Sequence, residues 1–212
     1  MIRKDIKEFL QTIPQDVTLV AASKYVDTQD IRALANVGIN NIGENRVESF
    51  LHKYEELHDL PIVWHFIGHL QTNKANKVID KIDFLHSLDS LKLAEIINIK
   101  RLRPLNCFIE VSINLEENKN GVPYFALSDF IEKILKMKNI NLVGLMMMAK
   151  ANSSDDSLCE QFKKLRLLRD EMENKYSIKL PYLSMGMSDD YQIAIKEGAT
   201  YIRLGRILFG LI

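Results

Sequence analysis

The chain has 212 residues, of which 47% are hydrophobic and 26% charged, a balance typical of a globular protein with a sizeable core. Its 28 basic and 28 acidic residues give a formal net charge of zero. This balance does not indicate the excess of basic residues with which proteins bind a nucleic-acid backbone. No apolar run approaches the ~20 residues of a membrane span, and the charged N-terminus does not resemble a secretory signal. We therefore expect a cytoplasmic protein with no nucleic-acid or membrane partner.

Apolar runs and helical patterns alternate along the first half of the chain. Strands are predicted at residues 17–23, 39–43, 62–67 and 84–88. The helix after the first strand begins at Asp27 and ends at Gly38, where a residue without Cβ can take a positive φ. Further helices are predicted at residues 44–57, 73–79 and 91–102.

The second half continues the same alternation. Strands are predicted at residues 106–113, 140–148, 181–185 and 200–204. Helices are predicted at residues 124–137, 155–176 and 193–196, and a loop containing Gly121 precedes the first of them. Ser188 is predicted to cap the last helix.

Eight strands that alternate with helices indicate an α/β protein with a parallel sheet. Closing eight such strands on themselves produces a (β/α)8 barrel, the TIM-barrel architecture. No linker or low-complexity segment interrupts the pattern, and the length leaves no room for a second domain. We predict a single barrel domain over residues 1–212.

The first predicted strand ends next to a lysine, Lys24. Functional groups of such barrels lie at the carboxyl ends of the strands. The apolar run before Lys24 predicts a desolvated amine, whose pKa is lowered and which can attack a carbonyl to form a Schiff base. The alternative is a lysine that extends into solvent at the end of a strand.

The loops after the last two strands contain small and polar residues of a kind that binds phosphate. Barrels commonly place a phosphate there, on backbone N–H groups and a helix N-terminus. The candidates are Ser184, Gly186, Ser188, Arg203, Gly205 and Arg206. Asp189 and Asp190 suit the first turn of the following helix, as capping residues. With Lys24, this loop pair predicts a phosphorylated aldehyde as ligand.

Two further strand ends contribute polar side chains, Asn45 and His65. They are either hydrogen-bonding groups around a ligand ring or satisfied structural residues. His65 and His69 share a strand face, but four residues of strand separate them by ~13 Å, so no metal site is predicted.

Several short motifs occur in one order along nearly the whole chain. They are residues 22–24 (ASK), 43–45 (GEN), 64–68 (WHFIG), 144–146 (GLM), 183–190 (LSMGMSDD) and 203–205 (RLG). As a set they resemble the pyridoxal phosphate homeostasis proteins, which are barrels similar to the N-terminal domain of alanine racemase. The chain departs from that pattern at His69, where proline is frequent, and at Arg206, where threonine is frequent.

The resemblance implies a binding site for pyridoxal 5′-phosphate (PLP). Lys24 would hold PLP covalently as a Schiff base, the internal aldimine, and Arg203 would face the pyridine nitrogen. Asn45 and His65 would lie near the ring. The phosphate would be surrounded by Ser184, Ser188, Gly205 and Arg206, and Met185 would also belong to the cofactor-binding site.

An arginine at the pyridine nitrogen disfavours a second positive charge there, which weakens the cofactor as an electron sink. This argues against transamination and still permits limited proton abstraction, as in racemases. The resemblance implies a non-enzymatic protein that buffers or delivers PLP, and we expect a monomer with PLP-dependent apoenzymes as recipients. The alternative is a small PLP-dependent amino-acid racemase, which needs a proton donor on each face of its intermediate. Tyr25, Tyr182 and Tyr191 are candidates for the second donor. A Schiff-base aldolase would also use a lysine and a phosphate loop. The lysine of such aldolases usually lies on a later strand, so the position of Lys24 after the first strand counts against this function.

Overall fold

A computed structural model describes residues 1–115 and 120–210. Eight parallel strands form the central sheet: β1 (Thr18–Ala22), β2 (Asn41–Glu44), β3 (Val63–Phe66), β4 (Phe84–Leu88), β5 (Leu105–Ser112), β7 (Ile140–Met146), β8 (Tyr182–Ser184) and β9 (Tyr201–Leu204). Pairing of β1 with β9 and of β4 with β5 closes the sheet, which confirms the predicted (β/α)8 barrel. A two-residue strand, β6 (Val122–Pro123), pairs with the end of β5.

Helices surround this barrel. They are α1 (Ile6–Gln11), α2 (Thr28–Asn36), α3 (Val47–Glu56), α4 (Leu91–Lys100), α5 (Leu127–Ile134), α6 (Asp155–Tyr176) and α7 (Tyr191–Lys196). Short 3-10 turns cover Ala75–Lys77, Tyr124–Ala126 and Arg206–Leu208. The Asp27 side chain caps α2 as expected, because its carboxylate accepts a hydrogen bond from the backbone N–H of Asp30 at 2.9 Å. No described helix is both long and apolar enough to cross a membrane.

Four local predictions were wrong. The helix predicted at residues 73–79 is only the turn Ala75–Lys77, and α3 begins at Val47 because Glu44 still belongs to β2. Strand β7 ends at Met146, two residues earlier than predicted. Ser188 does not cap α7, because the turn at residues 187–190 delays the start of that helix to Tyr191. The predicted loop before Gly121 lies partly outside the described residues.

Side chains from alternate positions fill the inside of the barrel. Phe108 stacks on the His86 ring with centroids 4.4 Å apart, and Phe84 stacks on the His65 ring at 4.8 Å. Tyr201 contacts the same aromatic layer. These rings fill the middle of the barrel, and in barrels of this kind the functional site lies above such a layer, at the carboxyl ends of the strands.

The close contact between β7 and β8 depends on a glycine. A Cβ atom at Gly144 would lie 1.9 Å from the carbonyl oxygen of Tyr182, the residue paired with it in β8. The two strands can approach in this register only because position 144 has no side chain.

Candidate functional site

A cavity of about 550 Å³ opens at the carboxyl ends of the barrel strands. Six of the nine predicted site residues line it: Lys24, Asn45, Ser188, Arg203, Gly205 and Arg206. The structure therefore brings the end of β1, the end of β2 and the loops after β8 and β9 into one site.

Three predicted ligand residues do not reach the cavity. His65, Ser184 and Met185 are fully buried and are not part of its lining. His65 and Ser184 lie below the cavity, among the interior side chains, and Met185 packs in the hydrophobic core. The predicted contact of these three residues with a ligand therefore stays a prediction.

Lys24 lies in the turn after β1, at the cavity wall. Its Nζ atom is 4.7 Å from the centroid of the Tyr25 ring, and its side chain is exposed. The predicted desolvation of this amine was wrong, because the apolar residues before it are strand residues while Lys24 itself follows the strand. Its amine is nevertheless accessible to a ligand in the cavity.

The strand ends beside Lys24 and Asn45 are held together by a buried ion pair. Lys53 of α3 donates a hydrogen bond to the backbone carbonyl of Ser23 at 2.6 Å and a second to the Glu44 carboxylate. That carboxylate also accepts from the Ser23 hydroxyl at 2.9 Å and from the backbone N–H of Asn45 at 3.0 Å. Residues 23 and 45 are thus tied to the same buried carboxylate.

Asn45 has an unsatisfied acceptor. Its Oδ1 atom is buried and has no hydrogen-bond partner among the described residues. Such an atom is costly unless a ligand or water supplies a donor. The amide at the cavity wall is therefore suited to a polar group of a bound molecule.

Arg203 extends from β9 into the upper part of the barrel interior. Its Nη1 atom donates to the hydroxyl oxygen of Ser184 at 2.6 Å, and Nη2 donates to the carbonyl of Met147 at 2.9 Å. Burial lowers the pKa of the guanidinium to about 10, and the neighbouring Glu110 and Asp190 carboxylates oppose this shift. Arg203 therefore presents a fixed positive charge at the floor of the cavity.

A chain of hydrogen bonds continues from Ser184 down the barrel interior. The Ser184 hydroxyl contacts Nδ1 of His86 at 2.8 Å, and Nε2 of His86 contacts Nδ1 of His65 at 2.9 Å. Nε2 of His65 lies 3.0 Å from Oδ1 of Asn41. Burial lowers the pKa of His65 to about 3 and that of His86 well below its ordinary value, so both rings are neutral.

The direction of these bonds follows from Arg203, which can only donate. Because the Ser184 oxygen accepts from Arg203, its single hydrogen is available for Nδ1 of His86. Nε2 of His86 then donates to His65, whose Nε2–H donates to the side-chain oxygen of Asn41. Every ring nitrogen is satisfied in this arrangement, and the orientation of the guanidinium is coupled to residues at the opposite end of the barrel.

Glu110 is a cavity residue that sequence reasoning missed. It is only 4% exposed, and it lies two positions after Phe108 on β5, on the inner face of the barrel. Burial and, to a smaller extent, the nearby Asp89 raise the pKa of its carboxyl to about 7, against the opposite effects of Arg203 and His69. An acidic residue inside the apolar strand at 106–113 was the available signal.

A second acidic group, Asp89, lies near Glu110 behind the lining of the cavity. Nδ1 of His69 lies 2.8 Å from a carboxylate oxygen of Asp89, and His69 lines the cavity. Asp89 is largely buried, with 8% of its side chain exposed. The side of the cavity formed by β3, β4 and β5 is thus acidic, in contrast to the side with Arg203 and Arg206.

The loops after β8 and β9 are joined at the cavity. The backbone N–H of Gly205 donates to the Ser188 hydroxyl at 3.3 Å, and Arg206 forms an exposed ion pair with Asp189. Asp190 accepts a hydrogen bond from the backbone N–H of Met187 at 2.6 Å, so it stabilises the turn before α7. The predicted capping role was wrong for both aspartates, because Asp189 pairs with Arg206 and the Asp190 side chain makes no hydrogen bond to the first turn of α7.

Gly186 permits this loop to pass close to α7. Its φ is +93°, and a Cβ atom there would lie 2.7 Å from the Cβ of Ala194. Only glycine combines this backbone conformation with this approach. The phosphate-binding candidates Ser188 and Gly205 are therefore supported by a tightly packed turn.

One of the three tyrosines considered as proton donors lies at the cavity. Tyr25 lines it and is 72% exposed. Tyr182 begins β8, at the opposite end of the barrel from the cavity, and Tyr191 packs on the Phe9 ring with centroids 6.1 Å apart. Tyr182 and Tyr191 are thus excluded as donors for this site.

The chain matches the family described as "Alanine racemase, N-terminal domain" over residues 2–212. Solved alanine racemases share the fold: that of Clostridium difficile superposes with a TM-score of 0.78 at 12% identity, over 97% of this chain and 56% of its own. The fold and the match define a barrel of the alanine racemase N-terminal domain type.

More similar proteins narrow the assignment. The pyridoxal phosphate homeostasis protein of Aquifex aeolicus is 43% identical over 195 residues, which are 91% of this chain and 86% of that protein. That of Pseudomonas aeruginosa is 36% identical over 200 residues, 93% of this chain and 85% of its own length. PipY of Synechococcus elongatus, solved with PLP bound, superposes with a TM-score of 0.89 at 31% identity, over 98% of this chain and 99% of its own. The chain belongs to the pyridoxal phosphate homeostasis protein family.

Proposed function

We propose that this protein binds PLP and buffers or delivers it inside the cell, without robust catalysis. The observation that carries the proposal is one cavity that combines an accessible amine, Lys24, with a buried guanidinium, Arg203, and the Ser188–Gly205 loop contact. PLP is an aldehyde with a phosphate and a ring nitrogen, so each group of the cofactor finds a suitable partner. A PLP-bound relative with 31% identity supports the same ligand.

The described residues fit the cofactor group by group. Lys24 would hold it covalently as a Schiff base, since its amine faces the cavity. Arg203 would donate to the pyridine nitrogen, and the unsatisfied Oδ1 of Asn45 would accept a hydrogen bond near the ring. Ser188, Gly205 and Arg206 would surround the phosphate, where backbone N–H groups and a cation are favourable.

PLP bound through an amine supplies an electrophilic carbon and an electron-withdrawing ring. Arg203 stays protonated at neutral pH and would keep the pyridine nitrogen unprotonated, which weakens that electron sink. Arg203 is held in this role by Ser184 and the carbonyl of Met147. The curated relatives are named as homeostasis proteins, which favours a carrier.

A weak amino-acid racemase is the second candidate. Tyr25 lies at the cavity and is the one feature that favours it. Incubation of PLP-loaded protein with L-alanine or D-alanine, followed by chiral chromatography, separates the two functions. Steady accumulation of the other enantiomer, abolished in Tyr25→Phe, would support the racemase.

PLP-dependent apoenzymes are the proposed recipients of the cofactor, and a cytoplasmic monomer is the proposed form of the carrier. An apolar rim at the cavity mouth, formed by Tyr25, Met148 and Met187, is exposed and suits contact with varied proteins. Size-exclusion chromatography with light scattering tests the monomer.

Borohydride reduction of PLP-loaded protein, followed by peptide mass spectrometry, tests the binding directly. We expect one phosphopyridoxyl group on Lys24 and a visible absorption band before reduction. Lys24→Ala should lose both, whereas Lys92→Ala, a change of an exposed lysine on α4, should lose neither. Modification spread over surface lysines, with no preference for Lys24, would contradict the proposal.

A further inference from the structure

The cavity has an acidic wall that faces Lys24. In the closed sheet, β5 is the fourth strand from β1, so the two lie on opposite sides of the eight-stranded ring. Glu110 is on the inner face of β5, and Lys24 follows β1; both line the cavity. The carboxylate therefore stands across the mouth of the barrel from the amine.

Three charged side chains act on Glu110. Asp89, after β4, adds negative charge, and its partner His69, after β3, offsets part of it. Arg203 of β9 adds positive charge, but two of its nitrogens already donate to Ser184 and to the carbonyl of Met147. The charged groups contributed by β3, β4 and β5 are thus mainly acidic.

A molecule that takes PLP from Lys24 must bring a primary amine to the cofactor carbon that carries the lysine nitrogen. In an α-amino acid, the carbon next to that nitrogen bears a carboxylate. The side chain of a lysine in a protein has a methylene group there instead. The acidic wall distinguishes these two classes of amine, because like charges at close range repel.

We propose that Glu110, supported by Asp89, is a specificity-determining residue that disfavours α-amino acids and admits amines with no adjacent carboxylate, such as the lysine side chain of a recipient apoenzyme. This inference rests on the proposed PLP-binding function.

The size of the effect follows from Coulomb repulsion. Two negative charges about 10 Å apart, across the mouth of the barrel, still repel strongly enough at the edge of a protein to change affinity by about tenfold. Tenfold corresponds to about 1.4 kcal/mol. The discrimination is expected to increase between pH 6 and pH 8.5, as Glu110 ionises.

Two stable compounds test this with the cofactor-free protein. N-(5′-phosphopyridoxyl)-L-alanine and N-(5′-phosphopyridoxyl)ethylamine differ by a single carboxylate. At pH 8.5, calorimetry should show that wild-type protein binds the alanine compound about tenfold more weakly than the ethylamine compound. Glu110→Gln should reduce this ratio to within about threefold. The ratio should be unchanged in Glu95→Gln, which alters an exposed residue of α4.

Equal affinities for the two compounds in wild-type protein would overturn the inference and leave PLP binding intact. So would a tenfold ratio that persists in Glu110→Gln. The wild-type protein tests the inference without any substitution, because the ratio of its affinities for the two compounds should decrease towards one at pH 6. Failure of wild-type protein to bind PLP and both compounds would refute the proposed function itself.

Discussion

Replacing Glu110 with glutamine is expected to stabilise the cofactor-free protein above neutral pH. The Glu110 side chain is buried in the upper barrel, and burial raises the pKa of its carboxyl from 4.5 to about 7. Between these two pH values the folded state binds a proton that the unfolded state has released. Stability therefore decreases as pH rises through this window, and the cost is complete above pH 7.

The magnitude follows from the difference between the two pKa values. Each pH unit corresponds to 1.36 kcal/mol, so the buried charge costs about 3 kcal/mol at pH 8.5. Glutamine has nearly the same shape and cannot ionise. Glu110→Gln should therefore exceed wild-type protein in unfolding free energy by about 3 kcal/mol at pH 8.5, and by little at pH 4.5.

Urea unfolding followed by circular dichroism at pH 4.5, 6, 7 and 8.5 measures this difference. The buried histidines contribute equally to both proteins, so their titration cancels. Glu95→Gln on the surface of α4 is the control, with a change within about 0.5 kcal/mol at every pH. A difference between Glu110→Gln and wild type that does not vary with pH would refute the assignment of a destabilising buried charge.

Three further changes test contacts between buried groups. Gly144→Ala should cost more than about 3 kcal/mol, because its Cβ would meet the carbonyl oxygen of Tyr182. Burial lowers the pKa of His86 and keeps the ring neutral in the fold, so the wild-type protein loses unfolding free energy as pH falls below 6.5. His86→Phe should make this loss less steep by about 1.4 kcal/mol per pH unit. Lys53→Met should cost about 3–5 kcal/mol, because it leaves the buried Glu44 carboxylate without its partner. Urea unfolding measures all three.

Each of these changes has a matched control. Gly38→Ala places a Cβ in open space at φ +88° and should cost only about 1–2 kcal/mol. If Gly38→Ala loses as much unfolding free energy as Gly144→Ala, the loss in Gly144→Ala does not require the contact between β7 and β8. Adding Glu44→Gln to Lys53→Met should recover part of the loss, and no recovery would argue against an unpaired charge. If the unfolding free energy of His86→Phe decreases below pH 6.5 as steeply as that of wild type, His86 is not neutral in the fold.

The apolar runs and their alternation with helices were sufficient to predict the barrel. A strand buried on both sides has a nearly continuous apolar sequence, which is readable without coordinates. The barrel rule then placed Lys24, Asn45 and Arg203 at one end of the fold, because parallel strands all finish there.

The nearly continuous apolar sequence of these strands does not show which residues face the barrel interior and which face the helices. His65 was predicted at the rim and lies inside, because two apolar faces give no alternation from which to read direction. Glu110 on β5 was missed for the same reason. The ion pair of Glu44 and Lys53 was not predicted, because the predicted second strand ended at residue 43 and β2 extends to Glu44.

Local sequence thus determined the strands, the helices and the end of the barrel at which function lies. Tertiary structure alone decided which polar groups meet. Ser184 and His86 are 98 residues apart and share a hydrogen bond only because closure of the sheet brings β4 and β8 across one interior. Hydrogen bonds and buried charges act over a few ångströms of space, and the chain distance between two residues does not report that separation.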